Sequence, residues 1–451
     1  MIVAEGSAEP PPTSHPATGP VPFGEATRAW ARVAAQSFGG PAGQIAVLHR
    51  IAVQEKRWIS ERRFLQALGY CMFLPGPEAQ QLATYLGWTL HGVRGGLVAG
   101  GLFILPGFAS ILALSVVYAT LGETPALATI FYGLKPAVLA IVLQALRRLR
   151  LRALRDTQSV LVAAGAFVGM AAFGVPFPAV IAAAAVAGVA LGIGAGHAGT
   201  PDGTADEPGG AAGAPVARPL RTAVTWLAIW LLPVLALFAA FGPDHVFVRQ
   251  AVFFSKAAVV TFGGAYAVLA YVAHHAVEVQ SWLTPAEMLD GLALAETTPG
   301  PLIQVVQFVG FLGAHRSASG IDPLLAGILG SVITTWVTFA PCFFFVFVGA
   351  PLMEQLYRRP RLQAALAGIT AAVVGVILNL ALWFALHTLF GQVRAWSWGA
   401  LRVELPVWSS IDVGAALIAA LAVMLAFRLR AGMFTLLGFG VAAGLLVRSL
   451  A

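Results

Sequence analysis

Two Pro-Gly-Pro turns stand at matched places, in Phe73-Leu74-Pro75-Gly76-Pro77-Glu78 and in Thr297-Thr298-Pro299-Gly300-Pro301. Proline removes a backbone donor and disfavours helix in the residue before it, so each turn ends one helix and opens another. Pro77 is placed near the first helical position. A new helix start offers free N–H groups and a partial positive charge, the chemistry that holds an anion. Gln80 and Gln304 follow one turn on and bring side-chain amides to the same place. A kink alone would explain one such turn, but not two with a matched glutamine. A second pair, Ser37-Phe38-Gly39-Gly40-Pro41 and Thr261-Phe262-Gly263-Gly264, combines glycines that permit unusual backbone with a hydroxyl suited to an N-cap. Small-residue helix packing is the plain alternative for that pair. The candidate anion site is therefore Gly39, Gly40, Pro75, Gly76, Pro77, Gln80, Gly263, Gly264, Thr298, Pro299, Gly300, Pro301 and Gln304.

Lys135 lies inside an apolar run, Tyr132-Gly133-Leu134-Lys135-Pro136. A charge in mid-membrane costs about 2.5–3.5 kcal/mol and is a functional residue by default, so Lys135 joins the site as the charge that attracts an anion. Snorkelling to an interface is its bland alternative. Thr370 stands at the repeat position, which makes the site asymmetric. Glu78 and Glu296 flank the Pro-Gly-Pro turns and are candidates for carrying protons, with helix capping as the alternative, favoured for Glu78. His91, His274, His275 and His315 fall at loops or helix ends without metal-site spacing. No Walker A loop is present, which argues against a primary pump. No cofactor, metal or catalytic residue is expected. Cys71 and Cys342 read as free and packed.

These residues need a lipid-embedded scaffold. The chain has 451 residues, 58% hydrophobic and 10% charged, with mean hydropathy +0.81. Soluble domains carry about 25% charged residues. Uncharged runs such as 96–121, 160–196, 324–350 and 362–389 are long enough for membrane helices. The net charge of +7 reflects basic residues between apolar runs, which is a topology signal rather than one for nucleic acid. Residues 1–22 read as a disordered cytoplasmic tail without the features of a signal peptide. Residues 197–220 read as a flexible cytoplasmic linker between a first membrane repeat, 23–196, and a second, 221–451.

The repeats align without a gap from 38 to 80 at an offset of 224, which superposes Phe-Gly-Gly, Trp58 on Trp282, Pro-Gly-Pro and Gln80 on Gln304. Further on the offset becomes 235, pairing Pro106 with Pro341 and Gly133 with Gly368. Arg and Lys crowd at 50–63 and 147–155 in the first half, where the second half has none at 274–287 and 382–390. Arg358, Arg359 and Arg361 stand instead where the first half has Glu123-Thr124-Pro125. Basic loops stay cytoplasmic, so the halves are expected to be inverted, as in secondary transporters. The expected fold is an all-α polytopic membrane protein of two inverted-topology repeats with discontinuous or re-entrant helices. Full spans are expected near 96–121, 125–146, 157–175, 178–196, 221–242, 322–348, 362–389, 411–427 and 432–449.

The order Phe38-Gly39-Gly40-Pro41, Trp58, Phe64-Leu65, Leu74-Pro75-Gly76-Pro77, Gln80-Leu82-Ala83-Tyr85-Gly87, Gly95-Gly96 and Leu105-Pro106-Gly107 resembles the chromate transporter family. The run from Phe262 to Gln304 resembles that family's second domain, with Ala265 where the first half has Pro41. The resemblance covers about 23–150 and 250–390 and is to the long, two-domain members. It implies a multi-pass bacterial inner-membrane exporter of chromate, driven by the proton-motive force and conferring chromate resistance. Sulfate, alike in shape and charge, is the natural competitor or alternative substrate. The expected partners are chromate, sulfate and the lipid bilayer, with no nucleic acid; a homodimer stays open. Two other classes are open to such a chain. A membrane-embedded enzyme would need a His/Asp/Glu constellation on one face, and none is apparent. An anion channel would dissipate gradients.

Overall fold

The structure is a computed structural model that describes residues 20–122, 124–193, 219–262, 264–318, 320–349 and 359–450. Nearly all of the expected tail and linker, and Gly263 of the candidate site, lie outside the described residues. The first half opens with four helices: α1 (Phe23–Ala35), α2 (Gly40–His49), α3 (Glu61–Cys71) and α4 (Glu78–Leu121). Then come α5 (Pro125–Ala153), α6 (Thr157–Phe173) and α7 (Phe177–Leu191). The second half begins with α8 (Pro219–Phe241), which has no counterpart among the described residues of the first. It continues with α9 (Val246–Val260), α10 (Ala265–His274), α11 (Pro285–Thr297), α12 (Val305–Ser317) and α13 (Pro323–Gly349). The chain finishes with α14 (Pro360–Leu389), an antiparallel hairpin of β1 (Val393–Trp398) and β2 (Leu401–Pro406), α15 (Val413–Phe427) and α16 (Met433–Leu450).

The offset of 224 carries into the elements. α9, α10 and α11 repeat α1, α2 and α3, and even the π-turn after α2 (Arg50–Glu55) returns after α10 as His275–Val279. At the later offset of 235, α14 begins at Pro360 where α5 begins at Pro125. Five described helices, α4, α5, α8, α13 and α14, are long and apolar enough to cross a membrane. The fold is all-α and polytopic, with the hairpin as its small exception. The short apolar helices α6 and α7 stop earlier than expected, at Phe173 and Leu191, because Gly174 (φ 61°) and Gly192 (φ 64°) cap them in the left-handed region.

Although its 44 residues run on as one helix, α4 is folded back on itself at His91 and Gly92 (φ 62°, ψ −153°). Its two legs press together through small residues: a Cβ on Gly96 would lie 3.0 Å from the Thr84 carbonyl, and one on Gly95 2.7 Å from the His91 Cβ. His91 Nε2 lies 2.7 Å from the Val21 carbonyl and its ring meets Phe23 edge-on, tying the fold-back to the start of α1. In the second half α12 and α13 make the same antiparallel pair, with Gly310 against Thr334 and Gly330 against Ala314. The helices α1 to α3 and α9 to α11 have 10 to 15 residues each. A crossing needs about 20, so they are half-length legs meeting at the breaks.

The ends of the halves are exchanged. α6 and α7 pack on α14, while α15 and α16 pack on α5. The matched glycines make both crossings close: a Cβ on Gly188 would lie 3.0 Å from Gly368 Cα, and one on Gly444 2.9 Å from Gly133 Cα. Side-chain caps define several helix starts. Asp156 accepts from Ser159 N at 2.7 Å, Thr284 and Glu287 form a capping box, and Asp412 accepts from Ala415 N at 2.9 Å.

Candidate functional site

The four breaks meet. Gly76 N–H donates to the Thr261 carbonyl at 2.8 Å, and Gly300 N–H donates to the Ser37 carbonyl at 2.8 Å. Each Pro-Gly-Pro turn is therefore held by the Phe-Gly-Gly break of the opposite half. Gly76 (φ 123°) and Gly300 (φ 100°) adopt a backbone that L side chains rarely reach, which is why glycine stands at both. Pro75 and Pro77, and Pro299 and Pro301, frame these glycines, with Pro77 the N-cap of α4 and Pro301 that of a 3₁₀ turn, Leu302–Gln304. Gly39 is the left-handed N-cap of α2, followed by Gly40 (φ 68°), and Gly264 (φ 95°) is the N-cap of α10.

The hydroxyls of Ser37 and Thr261 do not cap α2 and α10 as expected. Each bonds back into the preceding helix, Ser37 Oγ to the Val33 carbonyl at 2.6 Å and Thr261 Oγ1 to the Ala257 carbonyl at 2.5 Å. Ser37 lies two residues past the end of α1 and Thr261 one past the end of α9, where the carbonyl four residues back is within reach. Thr298 does likewise, donating to the Ala295 carbonyl at 3.2 Å.

Around this shared backbone the polar side chains differ. On the first-half turn, Gln81 Nε2 donates to the Pro75 carbonyl at 2.7 Å, and Gln80 Nε2 to Thr84 Oγ1 at 3.0 Å. On the second-half turn, Gln304 Nε2 donates to Gln307 Oε1 at 2.6 Å, and Gln307 Nε2 to the Phe108 carbonyl at 3.0 Å. Gln44, reaching from α2, donates to the Gly300 carbonyl at 2.5 Å. The amide oxygens of both repeat-related glutamines, Gln80 and Gln304, are buried and accept no hydrogen bond among the described residues. As placed, each spare atom is an acceptor; presenting a donor there means turning the amide over, which at Gln304 gives up the bond to Gln307 Oε1. Thr338 Oγ1 is also buried without a partner, in the wall of a cavity of about 10 Å³ beside Gly76 and Pro77. That space, beside the contact of Gly76 with Thr261, holds one water at most.

The acidic candidates part ways. Glu296 is buried and accepts from Tyr266 Oη at 2.5 Å, which links α11 to the residues just after the second Phe-Gly-Gly break. Glu78 is the first residue of α4, the place of an ordinary helix-end carboxylate. Lys135 does not point at the turns. Its Nζ lies 3.1 Å from Asp290 Oδ1, and Tyr118 Oη donates to Asp290 Oδ2 at 2.9 Å. Asp290 stands nine residues before Pro299, roughly 13 Å along α11. Sequence reasoning missed it, although the signal was the one that singled out Lys135: a lone charge in the apolar setting Leu289-Asp290-Gly291-Leu292.

The chain matches the family described as chromate transporter over residues 24–189 and 248–445. It belongs to the chromate transporter family. The two matched stretches contain all four breaks, Lys135 and Asp290, and they leave out the whole of α8 and the stretch before it. A chromate transport protein of Pseudomonas aeruginosa is 32% identical over 380 residues, 83% of this chain and 82% of that one. A chromate transport protein of Cupriavidus metallidurans is 27% identical over 346 residues, 77% of this chain and 78% of its own. An uncharacterized transporter of Methanocaldococcus jannaschii is 23% identical over 355 residues, 78% of this chain and 81% of that protein. No solved structure matches the chain.

Proposed function

We propose that this chromate transporter family member exports chromate from the bacterial cytoplasm as a secondary transporter driven by the proton-motive force, and so confers chromate resistance. The observation that carries the reading is the reciprocal bonding of the four breaks, Gly76 to Thr261 and Gly300 to Ser37. Discontinuous helices that meet in a bundle are where transporters hold ions. Here the glycine N–H groups are spent on the opposite half's carbonyls, so the conformation is occluded. Opening one pair of legs would free Gly76 or Gly300 N–H for an oxyanion, and turning over the Gln80 or Gln304 side chain would add its amide N–H groups. Glu296 is the better placed proton carrier, being buried beside the second break, and Glu78 the lesser.

In this reading the N-terminus, the linker and the arginines at 147–155, 428 and 430 are cytoplasmic, the halves are inverted, and the chain has no catalytic step. Labelled chromate uptake into everted membrane vesicles tests it. The expected result is uptake that needs an energy source, stops with a protonophore and is inhibited by excess sulfate. Uptake of sulfate alone would reassign the substrate. Equilibration without accumulation would mark a channel, and no anion movement by correctly inserted protein would reopen the case for an enzyme.

A further inference from the structure

Lys135 has two neighbours of different kinds. On one side it pairs with Asp290, whose side chain is only 7% exposed and whose other oxygen is held by Tyr118. On the other side it lines a cavity of about 550 Å³, walled by α5, the end of α14, the start of α15 and the segment between them. Tyr132, His387, Thr388, Ser410 and Asp412 line it too. Asp412 is already committed, its Oδ1 accepting from Tyr132 Oη at 2.6 Å and from Ala415 N at 2.9 Å. Thr388 Oγ1 is not: it is buried and has no hydrogen-bond partner among the described residues. A cavity of this size admits a tetrahedral oxyanion with several waters. It lies at the end of α5 away from Arg147–Arg155.

We propose that Lys135 is a shared cation, held by Asp290 when the cavity is empty and given up to a tetrahedral oxyanion dianion when it binds there, with Asp290 taking a proton in exchange. This rests on the oxyanion-transport reading above and names a second station for the same substrate. The physical reason is charge. A carboxylate that loses its one cationic partner among the described residues is left as an unpaired buried charge, and protonation removes it. The groups that face Asp290 are few. They are Lys135 from α5, Tyr118 from α4, and Glu287 one turn back on α11, itself paired with Arg316 of α12. α14 and α16 also pack on α11. Their titratable side chains, Arg361, His387 and Arg448, are not among the groups acting on Asp290. Proton and dianion binding therefore help each other, and by reciprocity each raises the affinity for the other. A dianion that leaves with one proton carries one net negative charge. An interior-negative membrane potential drives that exit, while an alkaline interior opposes it.

Sulfate is the probe, because it stays a dianion across the pH range used and itself takes up no proton. Binding to the purified full chain is measured by calorimetry from pH 6 to pH 9, with proton uptake followed in weak buffer. Over the pH range in which binding takes up about one proton per sulfate, the wild type is expected to lose affinity about tenfold per pH unit. Asp290→Asn is expected to bind sulfate with an affinity that changes less than about twofold over the same range and to take up no proton. The exchange Lys135→Asp with Asp290→Lys keeps an ion pair for folding but moves the cation away from the cavity, so it is expected to fold and lose sulfate binding. Wild-type binding without proton uptake, an unchanged pH profile in Asp290→Asn, or full binding by the exchanged pair would overturn the proposal and leave chromate export standing. Proton-linked sulfate binding by a protein that moves no chromate in vesicles would leave this station standing and overturn the export reading. Absence of sulfate binding by the wild type overturns the station outright.

Discussion

The two Pro-Gly-Pro turns have the same backbone and different surroundings. At both, a glycine outside the ordinary φ range gives its N–H to a carbonyl of the opposite half, after helices of similar length. The side chains around them do not repeat. Tyr266 and Glu296 beside the second turn stand where the first half has Ala42 and Met72, and Asp290 stands where it has Gln66. The scaffold is thus two-fold and the chemistry is not. Backbone geometry tolerates only glycine and proline at these points, so it repeats. A buried carboxylate needs partners of its own, Tyr266 for Glu296 and Lys135 with Tyr118 for Asp290, and these occur once.

The largest effects are expected from placing a side chain on the turn glycines. Alanine at either adopts a sparsely populated backbone at about 1–3 kcal/mol before any clash. At Gly76 the new Cβ would lie 2.8 Å from Gln81 Nε2 and 2.9 Å from Cys342 Sγ, both ends of side chains. At Gly300 it would lie 3.1 Å from Gly107 Cα, which is backbone. Both variants should lose chromate transport, and Gly300→Ala should also lose more folded protein, measured as monodisperse yield in detergent. The contrast sharpens with Cys342→Gly, which places at 342 the glycine its repeat partner already has at 107. It should recover part of the Gly76→Ala defect and none of the Gly300→Ala defect. Equal recovery in both would mean that the turns are not independently packed.

Next in size is the acidic asymmetry. Glu296→Gln keeps an acceptor for Tyr266 and removes the ability to hold a proton. Energised chromate uptake is expected to fall at least about tenfold at normal protein levels. Glu78→Gln, just after the first-half turn, should cost less than about 1 kcal/mol of stability, the size of a helix-end charge effect, and leave uptake near wild type. The reverse ranking in vesicle uptake would move the proton path to the first half.

Much of this was legible in the residues, for a definite reason. Proline and glycine act on their own backbone, so Pro75-Gly76-Pro77 and Pro299-Gly300-Pro301 announce their breaks without tertiary knowledge, and a repeated pair announces a repeated fold. Which break touches which is a tertiary fact, and the pairing across halves could not be read. A reversal before the span expected from 96 was legible, but not its form, a fold-back at Gly92 inside a run that is helical on both sides. The β1–β2 hairpin went unread because its strands, Val393–Trp398 and Leu401–Pro406, interrupt an otherwise helical pattern for only six residues each. The role of Lys135 was half legible. Its membrane setting marked it, but the partner that neutralises it came from a helix whose first turn, with Glu287, reads as a simple capping sequence.

A smaller effect tests the contact that breaks the two-fold pattern at the turns themselves. Gln44 reaches from α2 to the Gly300 carbonyl, while Val268 at the repeat position has no amide to give to Gly76. Gln44→Leu keeps the bulk and leaves that buried carbonyl without its donor, at about 1–3 kcal/mol. The midpoint of thermal unfolding in detergent should fall accordingly. An unchanged midpoint would mean that the carbonyl finds another donor and that the two turns are more alike than their side chains suggest.

The smallest expected effect lies at the outer end of the second-half hairpin, where Arg316 of α12 bonds Glu287 of α11 through both guanidinium nitrogens, one at 2.9 Å. Burial alone would raise the Glu287 carboxyl, but the bonds from Arg316 and from the Thr284 backbone outweigh it and hold the group below its ordinary range. A carboxyl lowered in this way stabilises the folded state at neutral pH, and that stabilisation is lost as pH falls through its folded value. Since the pair is partly exposed, the loss should be about 1 kcal/mol or less. Thermal unfolding of wild type and Glu287→Gln should therefore differ slightly at pH 7 and converge towards pH 3. A difference that persists at acid pH would show that the glutamate acts through the capping box with Thr284 rather than through its charge.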